Sequence, residues 1–142
     1  MSFKQLKLRI KKNEGYSNKP YKDQLGFNTI GYGHLIHKKE QKYFNKTFEK
    51  KHFEKLFNKD FDKALKDYKK MFKGKKHQKH EKELLIEMIY QLGSVGLSKF
   101  RKMIFYLNTK KKYMVCLEMM DSLWYNQTPR RVKDLIKSFI KN

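Results

Sequence analysis

A chain of 142 residues is one domain's worth of sequence, at most two lobes of one unit. Its 39% hydrophobic and 15% aromatic residues supply a core despite a net charge of +21, which excludes a chain held disordered by its own charge. One cysteine, Cys116, excludes an internal disulfide, and five scattered histidines (His34, His37, His52, His77, His80) match no metal-ligand spacing.

No apolar run approaches the ~20 residues needed to cross a bilayer. The basic start, MSFKQLKLRIKK, lacks the continuous apolar stretch and small-residue cleavage site of a signal peptide, so the product is expected to stay in the cytoplasm where it is made. The charge itself has three readings: compositional drift toward lysine, nucleic-acid binding, or attraction to an anionic cell envelope. The lysines run along the whole chain and the aromatics fall at core spacing. Drift with envelope attraction therefore outweighs nucleic acid.

In chain order, Ser2 and Gln5 form a capping box for a first helix with Phe3, Leu6 and Ile10 as its apolar stripe. Glu14 follows Ile10 by four, on the same face. A carboxyl there is desolvated, which raises its pKa and suits a general acid; the plainer reading is a surface ion pair. Pro20 to Leu35 reads as a short antiparallel ribbon with a turn at Gly26 and a tight hairpin through Thr29-Ile30-Gly31-Tyr32-Gly33-His34. Asp23 is either an Asx-turn residue or a catalytic carboxylate, and Thr29 either a strand former or a water-positioning hydroxyl. An acid, a second carboxylate and a hydroxyl around a groove suit water-assisted cleavage of a glycosidic bond.

From Thr47 a helix runs to about Phe72, with Phe53, Leu56, Phe57, Phe61, Ala64, Leu65, Tyr68 and Phe72 on one face. Asp60 interrupts that stripe and wants a cationic partner. Gly74 ends the helix. Leu84, Leu85, Met88, Ile89 and Leu92 mark the most apolar helix, ended by Gly93 and Gly96. Helices at about 99–107 and 110–123 follow, with Met103, Met114, Met119 and Met120 as core filler. Thr128-Pro129 opens a last helix with Val132, Leu135, Ile136 and Phe139 inward.

Glu14-Gly15, Tyr21-Lys22-Asp23 and Thr29-Ile30-Gly31-Tyr32-Gly33-His34 together resemble the catalytic motif of the phage-type lysozymes (endolysins), the muramidase family of the T-even phages. Leu56–Asp60, Met88–Gly93 and Trp124–Pro129 resemble later blocks of that family, in the same order. The resemblance implies an α+β, mostly α, lysozyme-like two-lobed fold: an N-terminal β-containing lobe at about 13–50, a connecting helix at about 51–73, and a helical lobe at about 74–142 joined by residues 1–12. It implies hydrolysis of the β-1,4 bond between N-acetylmuramic acid and N-acetylglucosamine in peptidoglycan, ending in host lysis, without a cofactor.

By the same resemblance Glu14 is the acid, Asp23 the second carboxylate and Thr29 the residue that positions water. Gly33, Leu35, Tyr90 and Gln91 contact substrate. His34 and Asp60 form a supporting ion pair, and Arg131, or its neighbour Arg130, pairs with Glu14. The 26 positions from His34 to Asp60 imply a trimmed N-terminal lobe. The expected partners are glycan strands and a separate holin-like protein that opens the membrane, with no nucleic acid and a monomeric state. A lytic transglycosylase is the alternative on the same bond. A non-enzymatic cationic binder of nucleic acid or membrane, acting through the C-terminal helix, is the alternative outside enzymes.

Overall fold

The computed structural model describes residues 3–141, so the capping box expected at Ser2 lies outside the described residues. Among the described residues, eight helices and a three-stranded antiparallel sheet make the fold α+β and mostly helical. The chain divides into two compact units, one ending at Lys63 and the other beginning at Ala64.

In the first unit, α1 (Lys4–Glu14) buries Leu6 and Ile10, one helical turn apart, and ends where the Gly15 N–H bonds to the Lys11 carbonyl. Its long side chains reach the start of α3 (Lys50–Met71). The Phe3 and Phe61 rings lie 5.9 Å apart, the Lys7 ammonium sits 5.0 Å over Phe61, and Lys11 pairs with Glu54 while lying 4.9 Å over Phe57. The first helix, drawn by resemblance into the C-terminal lobe, thus makes these contacts inside the first unit. Phe53, Phe57 and Phe61 are at most 2% exposed. Truncating one of them to Ala would cost about 3–5 kcal/mol.

The sheet runs β1 (Ser17–Lys22), β2 (Asn28–Gly31), β3 (His34–Leu35) in sequence order. Tyr21 pairs with Thr29 and Lys22 with Asn28, but the register slips before Tyr21. Pro20, which has no N–H to give a ladder, falls in that irregularity. The β1–β2 loop is a tight hairpin. Asp23 N–H bonds to Phe27 O at 2.9 Å, Gly26 N–H bonds to Asp23 O at 3.0 Å, and Gly26 takes the left-handed φ of 84° that closes it. Beyond the sheet, the single-turn α2 (Lys42–Asn45) was not foreseen from the sequence. It buries Tyr43 among Phe48, His52 and Phe53, with ring centroids 5.1 to 6.0 Å away.

The second unit holds the rest of α3, with Ala64 and Tyr68 buried and Phe72 buried just past its end, and then α4 (Lys79–Ser98). The α4 N-terminus is closed by Glu81, whose side chain accepts from the Gln78 N–H at 2.7 Å. Residues Leu84 to Ile89 are all buried. At Gly93, whose φ of 77° and ψ of 167° are not helical, the apolar helix ends as expected; a second helical stretch then runs through Gly96 to Ser98, within the span of α4. Then come α5 (Arg101–Asn108), α6 (Lys112–Met120), α7 (Leu123–Gln127) and α8 (Pro129–Ile140), with α6 and α7 both against α8.

The helix expected over about 110–123 stops at Met120, and α7 is a further helix that was not foreseen. Ser122 is extended at φ −150° and caps α7 by accepting from the Tyr125 N–H. Met103 and Met119 fill the core at 0% exposure, but Met114 and Met120 lie on the outer side of α6 at 36% and 41%. Ile136 is half-buried rather than inward. Pro129 does open α8, while the Thr128 hydroxyl donates back to the Trp124 carbonyl instead of capping it. Among the described residues no helix is long and apolar enough to cross a membrane.

Candidate active site

The catalytic set expected from the sequence falls within the first unit, along the sheet: Glu14 by the β2–β3 turn, Thr29 on β2, and Asp23 at the β1–β2 turn. Glu14, the last residue of α1, is half-buried. A Cβ built on Gly33 would lie 2.6 Å from Glu14 Oε1 and 2.7 Å from its Cδ, so the carboxyl group rests directly on the Gly33 α-carbon. Gly33 also holds a φ of 77°, which side-chain-bearing residues rarely adopt. Gly33, expected to touch substrate, thus seats the Glu14 carboxyl.

Asp23 stands at the end of β1, where Oδ1 accepts from both the Leu25 and Phe27 N–H groups at 2.9 Å. Among the described residues Oδ2 takes no hydrogen bond, and the residue is half-buried. The two readings of Asp23 are therefore compatible: one oxygen builds the turn and the other is available to a water. Thr29 is 2% exposed and its hydroxyl donates to the Phe27 carbonyl at 2.9 Å. With its only hydrogen committed, it can offer a water an acceptor and nothing else.

Tyr21 was overlooked. Its Cα is registered opposite Thr29 on the neighbouring strand. Burial first, then the negative charges of Glu14 and Asp23, push its phenol above the ordinary value. Both carboxylates thus act on one ring. The signal in the sequence was the spacing: Asp23 follows β1 directly, two positions after Tyr21. Leu35 is registered opposite Thr29 on the other side and is 55% exposed.

His34 is a support, as expected, with one partner more than foreseen. Nδ1 lies 2.8 Å from Asp60 Oδ2 and Nε2 lies 2.9 Å from Glu40 Oε1. Two carboxylates on two ring nitrogens require an imidazolium. Burial alone would lower its pKa, but the bonds and charges of Asp60 and then Glu40 outweigh it and raise it. Glu40 is held low in turn: burial opposes, and its bonds to the His37 N–H and His34 prevail. A second brace joins Glu54 to Lys11 and to the Tyr32 hydroxyl at 2.6 Å. There burial and the Glu54 carboxylate push the Tyr32 phenol up to about 12.

The remaining expected site residues belong to the second unit. Gln91 gives its carbonyl to the Trp124 indole N–H at 3.0 Å and turns its amide toward Thr128 Oγ1 at 3.4 Å. Tyr90 beside it is half-buried. Arg131 reaches Glu87 Oε2 at 3.5 Å, and Glu87 is 0% exposed. Glu87 was missed in the sequence, although a carboxylate inside the run Leu84-Leu85-Ile86-Glu87-Met88-Ile89 is itself a sign of a buried partner.

The family model described as phage lysozyme matches residues 11–138, a span that includes every residue of this set. The chain is also 30% identical to a protein of Dictyostelium discoideum described as probable T4-type lysozyme 2, over an alignment of 157 positions that covers 94% of this chain and 92% of that relative. With the family model matched over most of its length, the chain belongs to the phage lysozyme family.

Proposed function

We propose that the protein is a muramidase: it hydrolyses the β-1,4 bond between N-acetylmuramic acid and N-acetylglucosamine in peptidoglycan. The observation that carries this reading is the seating of the Glu14 carboxyl on Gly33, at the end of a sheet that also presents the open Oδ2 of Asp23. Glu14 protonates the glycosidic oxygen as the bond breaks. Asp23 Oδ2 orients a water, or stabilises the positive charge that develops on the sugar ring, and Thr29 accepts a hydrogen bond from that water. Leu35 lies along the glycan. No cofactor takes part, because protonation and water attack complete the reaction. The biological outcome is lysis of a bacterial cell, by a monomer that a separate membrane-opening protein admits to the wall.

One observation favours a second reading. Thr29 is 2% exposed, which restricts a water at its hydroxyl and suits a lytic transglycosylase that needs no water. Product analysis on purified peptidoglycan separates the two. Reducing muramic ends that disappear in Glu14→Gln support the hydrolase; anhydromuramic ends overturn it in favour of the transglycosylase. No sugar product from the wild type overturns both.

A further inference from the structure

On α6, Tyr113, Leu117 and Met120 recur at i, i+4 and i+7 and are 73%, 51% and 41% exposed. They form an apolar stripe opposite the buried Val115, Cys116 and Met119. On α5, which packs against α6, Phe105 is 60% exposed and lies opposite the buried Met103 and Leu107. The hairpin thus shows solvent a set of large apolar side chains that its own fold does not cover. Around them the chain is cationic: Arg101, Lys102 and Lys111 are exposed, against the acids Glu118 and Asp121 in the same stretch.

We propose that the α5–α6 hairpin is a docking surface for an anionic phospholipid bilayer. A second copy of the chain is disfavoured by charge, since each carries +21. A hydrated polyanion such as a nucleic acid would engage the lysines but leave the apolar stripe in water. An acidic lipid surface satisfies both: phosphates attract the cations, and the stripe enters the boundary between headgroups and acyl chains. Docking of this kind would hold the protein at the membrane beside the wall that the proposed activity acts on, although the surface does not depend on that activity.

The test is co-sedimentation with vesicles of phosphatidylglycerol and phosphatidylethanolamine at low salt and at about 0.5 M NaCl, where electrostatic attraction is largely screened. Wild type is expected to stay bound in both. Phe105→Ser/Tyr113→Ser/Leu117→Ser, at unchanged charge, is expected to bind about tenfold or more weakly in high salt. The equally exposed pair in the first unit, Leu25→Ser/Phe27→Ser, is expected to bind as wild type does. An environment-sensitive dye at Leu117→Cys, with the buried Cys116 left unlabelled, should shift to the blue on vesicle addition, and one at Leu25→Cys should not. Binding that vanishes at high salt, a triple variant that binds like wild type, or a dye at position 117 that stays in water would each overturn the proposal.

Discussion

Each unit holds a polar cluster that contains residues expected at the site, and the two clusters are built in opposite ways. At the end of the sheet, Asp23 spends one oxygen on the turn and keeps the other open, and Leu35 is exposed beside it. In the second unit, Gln91 spends both ends of its amide on Trp124 and Thr128, and Glu87 is sealed against Arg131. Open acceptors invite water and substrate, whereas satisfied ones hold helices together. By this measure the Asp23 cluster has capacity to spare for a ligand, and the Gln91 amide has little. Hydrogen-bond bookkeeping tells them apart.

The sharpest way to break this comparison is to remove acid and carboxylate without removing their shapes. Glu14→Gln should lower activity on peptidoglycan by about 10³-fold or more, and Asp23→Asn by about 10²-fold, both at nearly unchanged thermal midpoint. Asn keeps a carbonyl oxygen for the Leu25 and Phe27 N–H groups, so the turn survives. Loss of fold in Asp23→Asn would show that the charge, not the acceptor, holds the hairpin.

Gly33→Ala and Gly26→Ala form the next pair. Both positions have positive φ, so each substitution should cost about 1 kcal/mol of backbone strain. A methyl at Gly26 meets nothing within 4 Å, while one at Gly33 meets the Glu14 carboxyl. Gly33→Ala should therefore also lose activity, by about tenfold to a hundredfold, through displacement of the acid. Equal kcat/KM in the two variants would count against the seat.

Gln91→Leu addresses the other cluster. It leaves the buried Trp124 indole N–H without its acceptor and should cost about 1–3 kcal/mol in urea unfolding. KM should hardly move; a large rise would return Gln91 to the substrate surface. The smallest effect expected depends on pH. The raised pKa of His34 contributes stability that is full below the ordinary histidine value of 6.5 and fades as pH rises through its folded value. Glu40, held low, contributes above its ordinary 4.5 and fades as pH falls. The thermal-midpoint advantage of wild type over Asp60→Asn should thus peak near about pH 5–6 and shrink toward alkaline pH. A flat difference would argue against the imidazolium.

Much of this organisation was legible from periodicity. The stripe Phe53-Phe57-Phe61 announced α3, the run Leu84–Ile89 announced α4, and Pro129 marked the start of α8. Where local chemistry competes with periodicity, the reading failed: Ser122 caps a new helix inside an apolar stretch, and Met120 is as apolar as Met119 yet points outward. Glu14, Asp23 and Thr29 were singled out because they stand in a known motif. The second partner of His34 was not, since Glu40 comes to the ring through the path of a loop, which no spacing rule encodes. Nor did glycine content alone say that Gly33 carries a carboxyl group on its back.

The divided duty of Asp23 bears on descent. Replacement by Ala would cost a lineage the hairpin along with the reaction, and such a change would be purged as a folding defect. Replacement by Asn, a single-base step, keeps the acceptor that the Leu25 and Phe27 amides need and gives up only the charge. Where a relative has drifted from cutting glycan to holding it, Asn at this position is the residue to look for. It would mark a sugar-binding descendant still wearing the shape of an enzyme.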